Sequence, residues 1–279
     1  MNTALVIGGA GFVGSNLVQR LVNNGVSVTS LDNYSTGKIE RHVDGCLYFA
    51  GEARDITGMA HCFDRPDVVF HLGEYSRVEQ SVDEPVVAMR GTDAVAMVMQ
   101  FCNTTASKLV YTGSSTRFGD ARSPYSVCKA KNAQMVEDMR QFLGIEAAVV
   151  YLYNVYGPGE LREGPYSTLI GRALRAKETG DCIQVTAPGT QKRNFTHVAD
   201  VVDGLIAVAE KGEGDGYGIG ADDEYSVLDV VEMVGCEYRI GPRARGNRMS
   251  AALTTEATKA LGWRAKRNLQ SYIEDEINA

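Results

Sequence analysis

The chain has 279 residues, of which 44% are hydrophobic and 23% are charged, so it can bury a substantial core in one large domain or in one domain with a small lobe. The formal net charge of -7 argues against a nucleic-acid-binding protein and favours a small-molecule partner, because no basic stripe offsets the acidic balance. The six cysteines form no CxxC pair and no apolar stretch is long enough to cross a membrane, so we expect free thiols in the cytoplasm, without a metal site or a membrane partner.

Short apolar segments alternate with longer helical patterns along the chain. Strands are predicted at residues 4–8, 26–32, 47–51, 67–73, 108–114 and 146–154. Helices are predicted at residues 12–23, 84–102, 125–142, 167–177, 198–211, 226–234, 254–260 and 269–277. Strands that are almost continuously apolar are typical of a parallel sheet covered by helices on both faces. The sequence therefore predicts an α/β fold with a Rossmann-type, doubly wound parallel sheet.

A glycine-rich turn, "VIGGAGFVGSNL", follows the first predicted strand and opens the first helix. Gly8 permits the tight turn, Gly11 lets the backbone approach a pyrophosphate, and Gly14 lets the helix and strand pack closely. Phe12 and Val13 lie at the helix start, where unpaired N–H groups would hold the diphosphate. The pattern predicts a dinucleotide-binding site.

An acidic residue, Asp32, ends the second predicted strand. Its carboxylate can accept hydrogen bonds from ribose hydroxyls and would repel a 2′-phosphate, so NAD is favoured over NADP as the cofactor. Asn33, Ser35, Thr36 and Gly37 follow in "NYSTGK" and are predicted to contact the same ribose or the pyrophosphate. An ordinary turn remains the alternative for each of these four residues.

The segment "GSSTRFGDARSPYSVCK" carries the candidate catalytic groups. Ser114 ends a predicted strand, and Tyr125 and Lys129 are spaced i, i+4 on one face of the next helix. A nearby ammonium favours the phenolate form of a tyrosine, which makes Tyr125 a candidate general base. Ser114 can bond the same substrate oxygen. A polar turn without a catalytic role is the weaker alternative, because the segment follows a dinucleotide-binding pattern.

The composition of the sequence changes after Asn154, where Gly, Pro and Arg cluster in loop-like segments. We expect residues 1–155 to form the NAD-binding domain, with 195–220 returning to it. Residues 156–194 and 221–279 are predicted to form a small C-terminal substrate-binding lobe.

A series of ordered motifs covers nearly the whole chain. They are "GGAGFVGSNL", "LDNYSTG", "HLGEYSRVEQSVDEP", "VYTGSSTRFGD", "SPYSVCK", "LYNVYGPG", "GTQKRNFTHVADVVDGL" and "LGW". With them the sequence resembles the extended short-chain dehydrogenases/reductases, in the NAD-dependent nucleotide-sugar epimerase/dehydratase group. The resemblance implies that Ser114, Tyr125 and Lys129 are the catalytic set.

For the cofactor, the resemblance implies that Lys129 also bonds the nicotinamide ribose. Leu72 and Gly73 match the segment that lies along the cofactor, and Glu52 and Ala53 match positions beside the adenine.

For the substrate, the resemblance implies that Asn154 contacts the sugar diphosphate and that Arg193 clamps the nucleotide diphosphate. Arg243 or Arg245 is a candidate second clamp, and a solvated basic loop is an equal alternative.

The segment after the fourth strand adds further candidates. Glu74, Tyr75 and Arg77 lie where that strand ends and are predicted either to contact substrate hydroxyls or to belong to a surface loop. Ser81 matches a serine of the family pattern, and a helix N-cap before the following proline is the structural alternative.

The residues after the catalytic serine bear on the reaction. Sugar 4,6-dehydratases of this group carry an Asp–Glu pair there and the decarboxylases carry a Glu, whereas this sequence has Ser115 and Thr116. Without that acid and base the resemblance implies a UDP-glucose 4-epimerase-like activity, in which carbon 4 of a nucleotide sugar is transiently oxidised. Ser115 is then a substrate contact. An NAD-dependent 4-ketosugar reductase and a non-catalytic NAD-binding scaffold remain alternatives.

A homodimer is also predicted. The second and third predicted helices carry Val95, Met99, Met135 and Met139, which exceed what one buried face needs. Members of the family pair through these helices, although methionine stripes also occur in cores.

Overall fold

The computed structural model describes residues 1–120 and 122–279. Its strands are β1 (Thr3–Ile7), β2 (Ser27–Asp32), β3 (Cys46–Ala50), β4 (Val68–His71), β5 (Lys108–Ser114), β6 (Ala147–Leu152), β7 (Val155–Tyr156), β8 (Cys182–Val185), β9 (Lys192–Asn194), β10 (Thr196–His197), β11 (Gly214–Ile219), β12 (Glu224–Ser226) and β13 (Glu237–Ile240). Its α-helices are α1 (Phe12–Asn23), α2 (Gln80–Asp83), α3 (Pro85–Thr105), α4 (Pro124–Leu143), α5 (Leu169–Thr179), α6 (Val198–Lys211), α7 (Val227–Val234), α8 (Glu256–Ala260) and α9 (Leu269–Asn278).

Seven strands form one parallel sheet in the order β11-β6-β5-β4-β1-β2-β3. The chain runs outward from β1 through β2 to β3 and then returns to β4 on the other side of β1. This reversal is the topological switch point at which doubly wound folds bind ligands, outside the carboxyl ends of their strands. The predicted fold class is confirmed.

The two faces of the sheet are buried under different helices. Alternate residues of β1, such as Leu5 and Val6, point to opposite faces and are both buried. One face packs against α3 and α4, and the other packs against α1 and α6. This burial explains why the strands read as continuous apolar runs.

The core also corrects part of the dimer prediction. Val95 and Met99 are 0% and 2% exposed and belong to the cluster between α3, α4 and the sheet. The prediction that these two side chains lie beyond the buried face is wrong. Met139 is 39% exposed, so it is available on the outer face of α4.

A second, smaller core lies in the C-terminal half. It joins α5, α7 and α9 through Ile170, Leu174, Val230 and Ile273, among other buried residues. Between α5 and α7 the chain returns to the large sheet with α6 and β11. The small core is therefore assembled from two separated segments. No helix in the described residues is long and apolar enough to cross a membrane.

Candidate active site

The carboxyl ends of the sheet strands open into a cavity of about 1240 Å³. Its lining includes nearly all of the site residues that the sequence predicts. Those predicted to contact the cofactor are Gly8, Gly11, Phe12, Val13, Asp32, Asn33, Ser35, Thr36, Glu52, Ala53, Leu72, Gly73, Tyr125 and Lys129. Those predicted to contact the substrate are Tyr75, Ser114, Ser115, Asn154 and Arg193.

Two predicted site residues lie outside this lining. Gly37 sits behind Asp32, where an added Cβ would be 2.8 Å from Asp32 Oδ1, so its lack of a side chain makes room for the carboxylate. Arg243 is absent from the lining, whereas Arg245 and Arg248 are part of it.

The glycine turn leaves a cradle at the start of α1. A Cβ on Gly14 would overlap Gly8 O, and Gly8 itself has a φ of +88°, a conformation that favours glycine. A Cβ on Gly11 would lie 3.2 Å from the same oxygen. The first turn of α1 carries no acidic residue, so its N–H groups and helix dipole can receive an anion. The cradle fits the diphosphate of a dinucleotide.

Asp32 lies beside the glycine turn, where backbone amides hold its carboxylate. It is 6% exposed, and its Oδ2 accepts a hydrogen bond from the amide of Ala10 at 2.8 Å, within the glycine turn. Its Oδ1 accepts from the amide of Tyr34 at 2.9 Å. Beyond it, Asn33 Nδ2 donates to Glu52 Oε2 at 3.2 Å, which ties two predicted adenosine contacts together. The residues present therefore fit an adenosine ribose beside the diphosphate.

The position of Tyr125 is set by the start of α4. Ser123 caps the helix, accepting from the Ser126 amide at 3.1 Å while Ser126 Oγ accepts from the Ser123 amide at 2.8 Å. The amide of Tyr125 donates to Ser81 Oγ at 3.1 Å. Ser81 lies inside α2 and Glu84 precedes α3, so the interpretation of Ser81 as a helix N-cap is wrong, and its hydroxyl instead anchors the start of α4.

Ser114 lies at the end of β5 and lines the same cavity as Tyr125. Its Oγ accepts hydrogen bonds from the amide of Thr116 at 3.3 Å and from Thr116 Oγ1 at 3.0 Å. Thr116 therefore orients the serine hydroxyl. Neither Ser115 nor Thr116 brings a carboxylate to this side of the cavity.

Lys129 has a partner that the sequence reasoning missed. Its Nζ donates to Thr112 O at 2.7 Å and forms an ion pair with the carboxylate of Glu74. Burial alone would raise the pKa of Glu74, but Lys129 and the buried donors around the carboxylate lower it below the usual range. The surface-loop alternative is wrong for Glu74. The one available signal was an acidic residue directly after an apolar strand.

His71 lies beneath this pair, at the end of β4. The residue is fully buried, and neither ring nitrogen has a hydrogen-bond partner in the described part of the chain. Burial lowers the pKa of His71 to about 4, so the imidazole is neutral near neutral pH.

Arg193 and Arg248 form the basic side of the cavity. Arg193 donates through Nη2 to Asn247 Oδ1 at 2.6 Å and to Arg248 O at 2.8 Å, and burial lowers its pKa to about 10. Arg248 is 7% exposed and donates through Nη2 to Ser115 Oγ at 3.1 Å. Its Nε and Nη1 are buried without a partner among the described residues.

Room for Arg248 comes from Gly119, where an added Cβ would be 2.5 Å from the arginine Cδ. The sequence predicts Arg243 and Arg245 as candidates in this segment but not Arg248. Arg245 forms an ion pair with Asp83 and both side chains are largely exposed.

The remaining predicted contacts lie around the segment after β4. Tyr75 donates to Gln80 Oε1 at 3.4 Å, and the Arg77 guanidinium lies 5.4 Å from the ring centre of Tyr166. Burial lowers the pKa of Arg77. Within residues 1–120 and 122–279, no group of three or more His, Cys, Asp or Glu side chains is arranged to hold a metal ion.

A parallel sheet with a glycine cradle at its switch point, an acidic residue at the next strand end and a Ser–Tyr–Lys set in the same cavity defines a dinucleotide-dependent enzyme. A family model described as the NAD dependent epimerase/dehydratase family matches residues 4–220. The chain belongs to this family, and NAD is its cofactor.

Individual relatives carry more than one activity. The chain is 29% identical over 251 residues to a UDP-N-acetyl-alpha-D-glucosaminuronate decarboxylase of Bacillus cytotoxicus, covering 82% of this chain and 78% of that protein. It is 28% identical over 310 residues to a UDP-glucose 4-epimerase of Mycolicibacterium smegmatis, covering 98% and 96%. The solved UDP-glucose 4-epimerase of Thermotoga maritima with UDP-glucose aligns with a TM-score of 0.93 at 24% identity, covering 99% and 97%, and this likeness supports the fold.

Proposed function

We propose that the protein is a nucleotide-sugar 4-epimerase that acts on a UDP-hexose, such as UDP-glucose and UDP-galactose or their N-acetyl forms. The observation that carries the proposal is the shared cavity of Asp32, Ser114, Tyr125 and Lys129. The sequence resemblance adds that Ser115 stands where a dehydratase of this group carries an acid.

The chain's own groups have distinct tasks in this reaction. Tyr125 takes the proton of the sugar 4-hydroxyl, and Ser114 bonds the same oxygen. NAD, when bound, supplies a hydride acceptor that can also return the hydride. Tyr125 gives the proton back when the opposite face of carbon 4 has been reduced. Because substrate and product have the same oxidation state, turnover consumes no external cofactor.

Neutral side chains after Ser114 support epimerisation over elimination. Removal of a proton from carbon 5 and loss of the 6-hydroxyl need a base and an acid close to those atoms. Ser115 Oγ instead accepts from Arg248, and Thr116 Oγ1 donates to Ser114. Because one relative is a decarboxylase, decarboxylation is a further outcome to be tested beside epimerisation.

The test is incubation of the purified protein with UDP-glucose, UDP-galactose and the two N-acetyl forms, with no added cofactor and with NMR detection. Interconversion within either pair is the expected result. If protein that holds NAD interconverts neither pair, the proposal fails. Stoichiometric consumption of added NADH with a 4-ketosugar would establish the reductase alternative, and a Tyr125→Phe variant without any effect would establish the scaffold.

Arg248 favours a second candidate substrate, a UDP-hexuronic acid. The guanidinium contacts Ser115, the neighbour of the serine that we assign to the oxygen on carbon 4. A carboxylate at carbon 6 could accept hydrogen bonds from Arg248 Nε and Nη1, the two buried nitrogens that lack a partner in the described residues. Oxidation at carbon 4 turns a uronic acid into a β-keto acid that can lose CO₂. A cation paired with the carboxylate stabilises its charge and favours retention of the group.

The matching experiment measures KM for UDP-glucuronate and UDP-glucose, the C4 epimer formed and the CO₂ released. For Arg248→Gln, loss of a buried charged partner should raise KM for the uronate about 10- to 100-fold and leave UDP-glucose within a few-fold. Arg245→Gln is the matched control in the same loop. Wild-type protein that handles UDP-glucose at least as well as the uronate, with no selective effect of Arg248→Gln, would reject this candidate.

A further inference from the structure

The ammonium of Lys129 is paired with a carboxylate inside the catalytic pocket. The side chains of Lys129 and Glu74 are 10% and 4% exposed, so this ion pair is shielded from water and from salt. Breaking a buried pair leaves an uncompensated charge, which makes such pairs expensive to disrupt and selective in their geometry. Each charge therefore acts on its surroundings largely in combination with the other.

The carboxylate is held by donors from two directions. Glu74 Oε2 accepts from Tyr111 OH at 2.7 Å as well as from Lys129, and Oε1 accepts from Asn132 Nδ2 at 2.9 Å. Gly91 on α3 leaves the necessary space, because a Cβ there would lie 2.8 Å from Oε1. Three donors on one carboxylate favour its ionised form and fix its orientation.

The same contacts limit what Lys129 can do. An ammonium has three N–H groups, and those of Lys129 already meet Glu74 and the carbonyl of Thr112. Within the described residues, one N–H group is left to face the cavity. Lys129 is thus held at a fixed position with most of its hydrogen-bonding capacity engaged.

Tyr125 is surrounded by both signs of charge. The titratable and charged groups that face it come from α4, β5, the end of β4 with the segment that follows, and the C-terminal segment. Tyr111, Arg77 and Arg248 interact with Tyr125 through their charges, Lys129 follows it by one turn of α4, and Glu74 and His71 interact with Lys129. Glu74 is the negative group among these, and its carboxylate is paired with the ammonium of Lys129, the charge that favours the phenolate. Arg77 and Arg248 stay in place when either member of the pair is changed.

We propose that Glu74 is a positioning residue that fixes Lys129 and cancels much of its charge, so that Tyr125 ionises at a higher pH than an unpaired lysine would allow. The proposal rests on the proposed function, in which Tyr125 transfers the proton. It adds a residue, Glu74, that tunes this transfer without touching the sugar.

The test follows the ionisation of Tyr125 directly, by NMR of protein with tyrosine labelled at Cζ, titrated from pH 6 upward. Tyr125→Phe identifies the resonance. For Glu74→Gln, loss of the negative charge should move the titration midpoint of Tyr125 down by about one pH unit. Glu74→Asp keeps the charge and should restore the wild-type midpoint. Glu79→Gln changes another carboxylate of the cavity lining and should have no effect on it.

Because Glu74→Gln leaves a buried, unpaired lysine that can prevent folding, a double variant provides a second test. Glu74→Gln with Lys129→Gln removes both charges and leaves no unpaired ion, and the midpoint should stay within about half a unit of the wild type. An unchanged midpoint in Glu74→Gln, or an upward shift of one unit or more in the double variant, would overturn the proposal. Because no turnover is measured, a failed epimerase assay would leave this result intact.

Discussion

The two ends of the cavity are built from different materials. At the dinucleotide end, the backbone of Gly8 and Gly11 and the start of α1 form the surface, and Asp32 is held by two backbone amides, those of Ala10 in the glycine turn and of Tyr34. At the catalytic end, charged side chains from distant segments meet, with Glu74 on Lys129 and Arg248 on Ser115. The first end is set by local backbone geometry, and the second by how the segments pack.

This difference explains which properties of the protein a substitution at each end can change. A glycine cradle binds a diphosphate through N–H groups that nearly any residue supplies, so it specifies the cofactor and little else. Charged side chains in a water-poor pocket change proton affinity and substrate choice strongly with each substitution. The catalytic end is therefore where we expect single substitutions to change the chemistry most.

The largest expected effect is on kcat, from a change at Tyr125 that should leave NAD binding at the dinucleotide end intact. Tyr125→Phe should lower kcat by about 10²- to 10⁴-fold, because a positioned proton donor and acceptor is lost. The NAD content of the purified variant should match the wild type, since the cradle is untouched. Tyr166→Phe, another tyrosine of the cavity lining, is the control and should keep kcat within a few-fold. A drop of less than tenfold in Tyr125→Phe would remove it from its assigned role.

The converse change disables the dinucleotide end. In Gly14→Ala, the new Cβ would overlap Gly8 O, which forces the helix away from the turn. We expect a loss of about 3 kcal/mol in the free energy of unfolding and loss of bound NAD, measured by urea denaturation and cofactor release. Gly58→Ala, whose Cβ would lie 3.4 Å from Asp55 O, is the control and should retain NAD. Full NAD retention in Gly14→Ala would contradict the cradle.

The stability of the protein should fall in acid because of His71, which is buried beside Glu74 and Lys129. The pKa of His71 is about 4 in the folded protein, below the usual 6.5, so the unfolded chain binds a proton more tightly. Stability from this group is present above pH 6.5 and is lost as the pH falls towards 4, by about 3 kcal/mol.

The measurement compares urea unfolding at pH 7 and pH 4 in wild type and His71→Leu, whose acid-dependent loss should be smaller by that amount. His61→Leu, at an exposed histidine, controls for the substitution. Equal acid sensitivity of wild type and His71→Leu would show that the imidazole is not held neutral.

The smallest effect on the chemistry is expected from the outer face of α3 and α4, where we expect two copies to associate. Val86, Met89, Met139 and Phe142 are 61%, 59%, 39% and 90% exposed there. Light scattering should give about twice the chain mass of 30.2 kDa. Met89→Glu should yield monomers, whereas Leu47→Glu, an exposed apolar residue of β3, should not. A monomeric wild type at micromolar concentration would end the dimer prediction.

Much of the fold was readable from the sequence. The predicted helix at 198–211 coincides with α6, and the six predicted strands correspond to β1 to β6. Their signal is the continuous apolar run of a strand that is buried on both faces, which depends only on neighbouring residues. The short helix α2 was missed, because four residues carry too little periodicity to register.

For the site, the sequence by itself determined the features that are local along the chain. The glycine turn, Asp32 at a strand end and the i, i+4 spacing of Tyr125 and Lys129 each follow from the geometry of one turn, one strand or one helix. Tertiary structure alone decided the partners. Glu74 and Lys129 are 55 residues apart, and Ser115 and Arg248 are 133 apart. Such contacts depend on how whole segments pack, and on the space left by Gly91 and Gly119, which no pattern of neighbouring residues encodes.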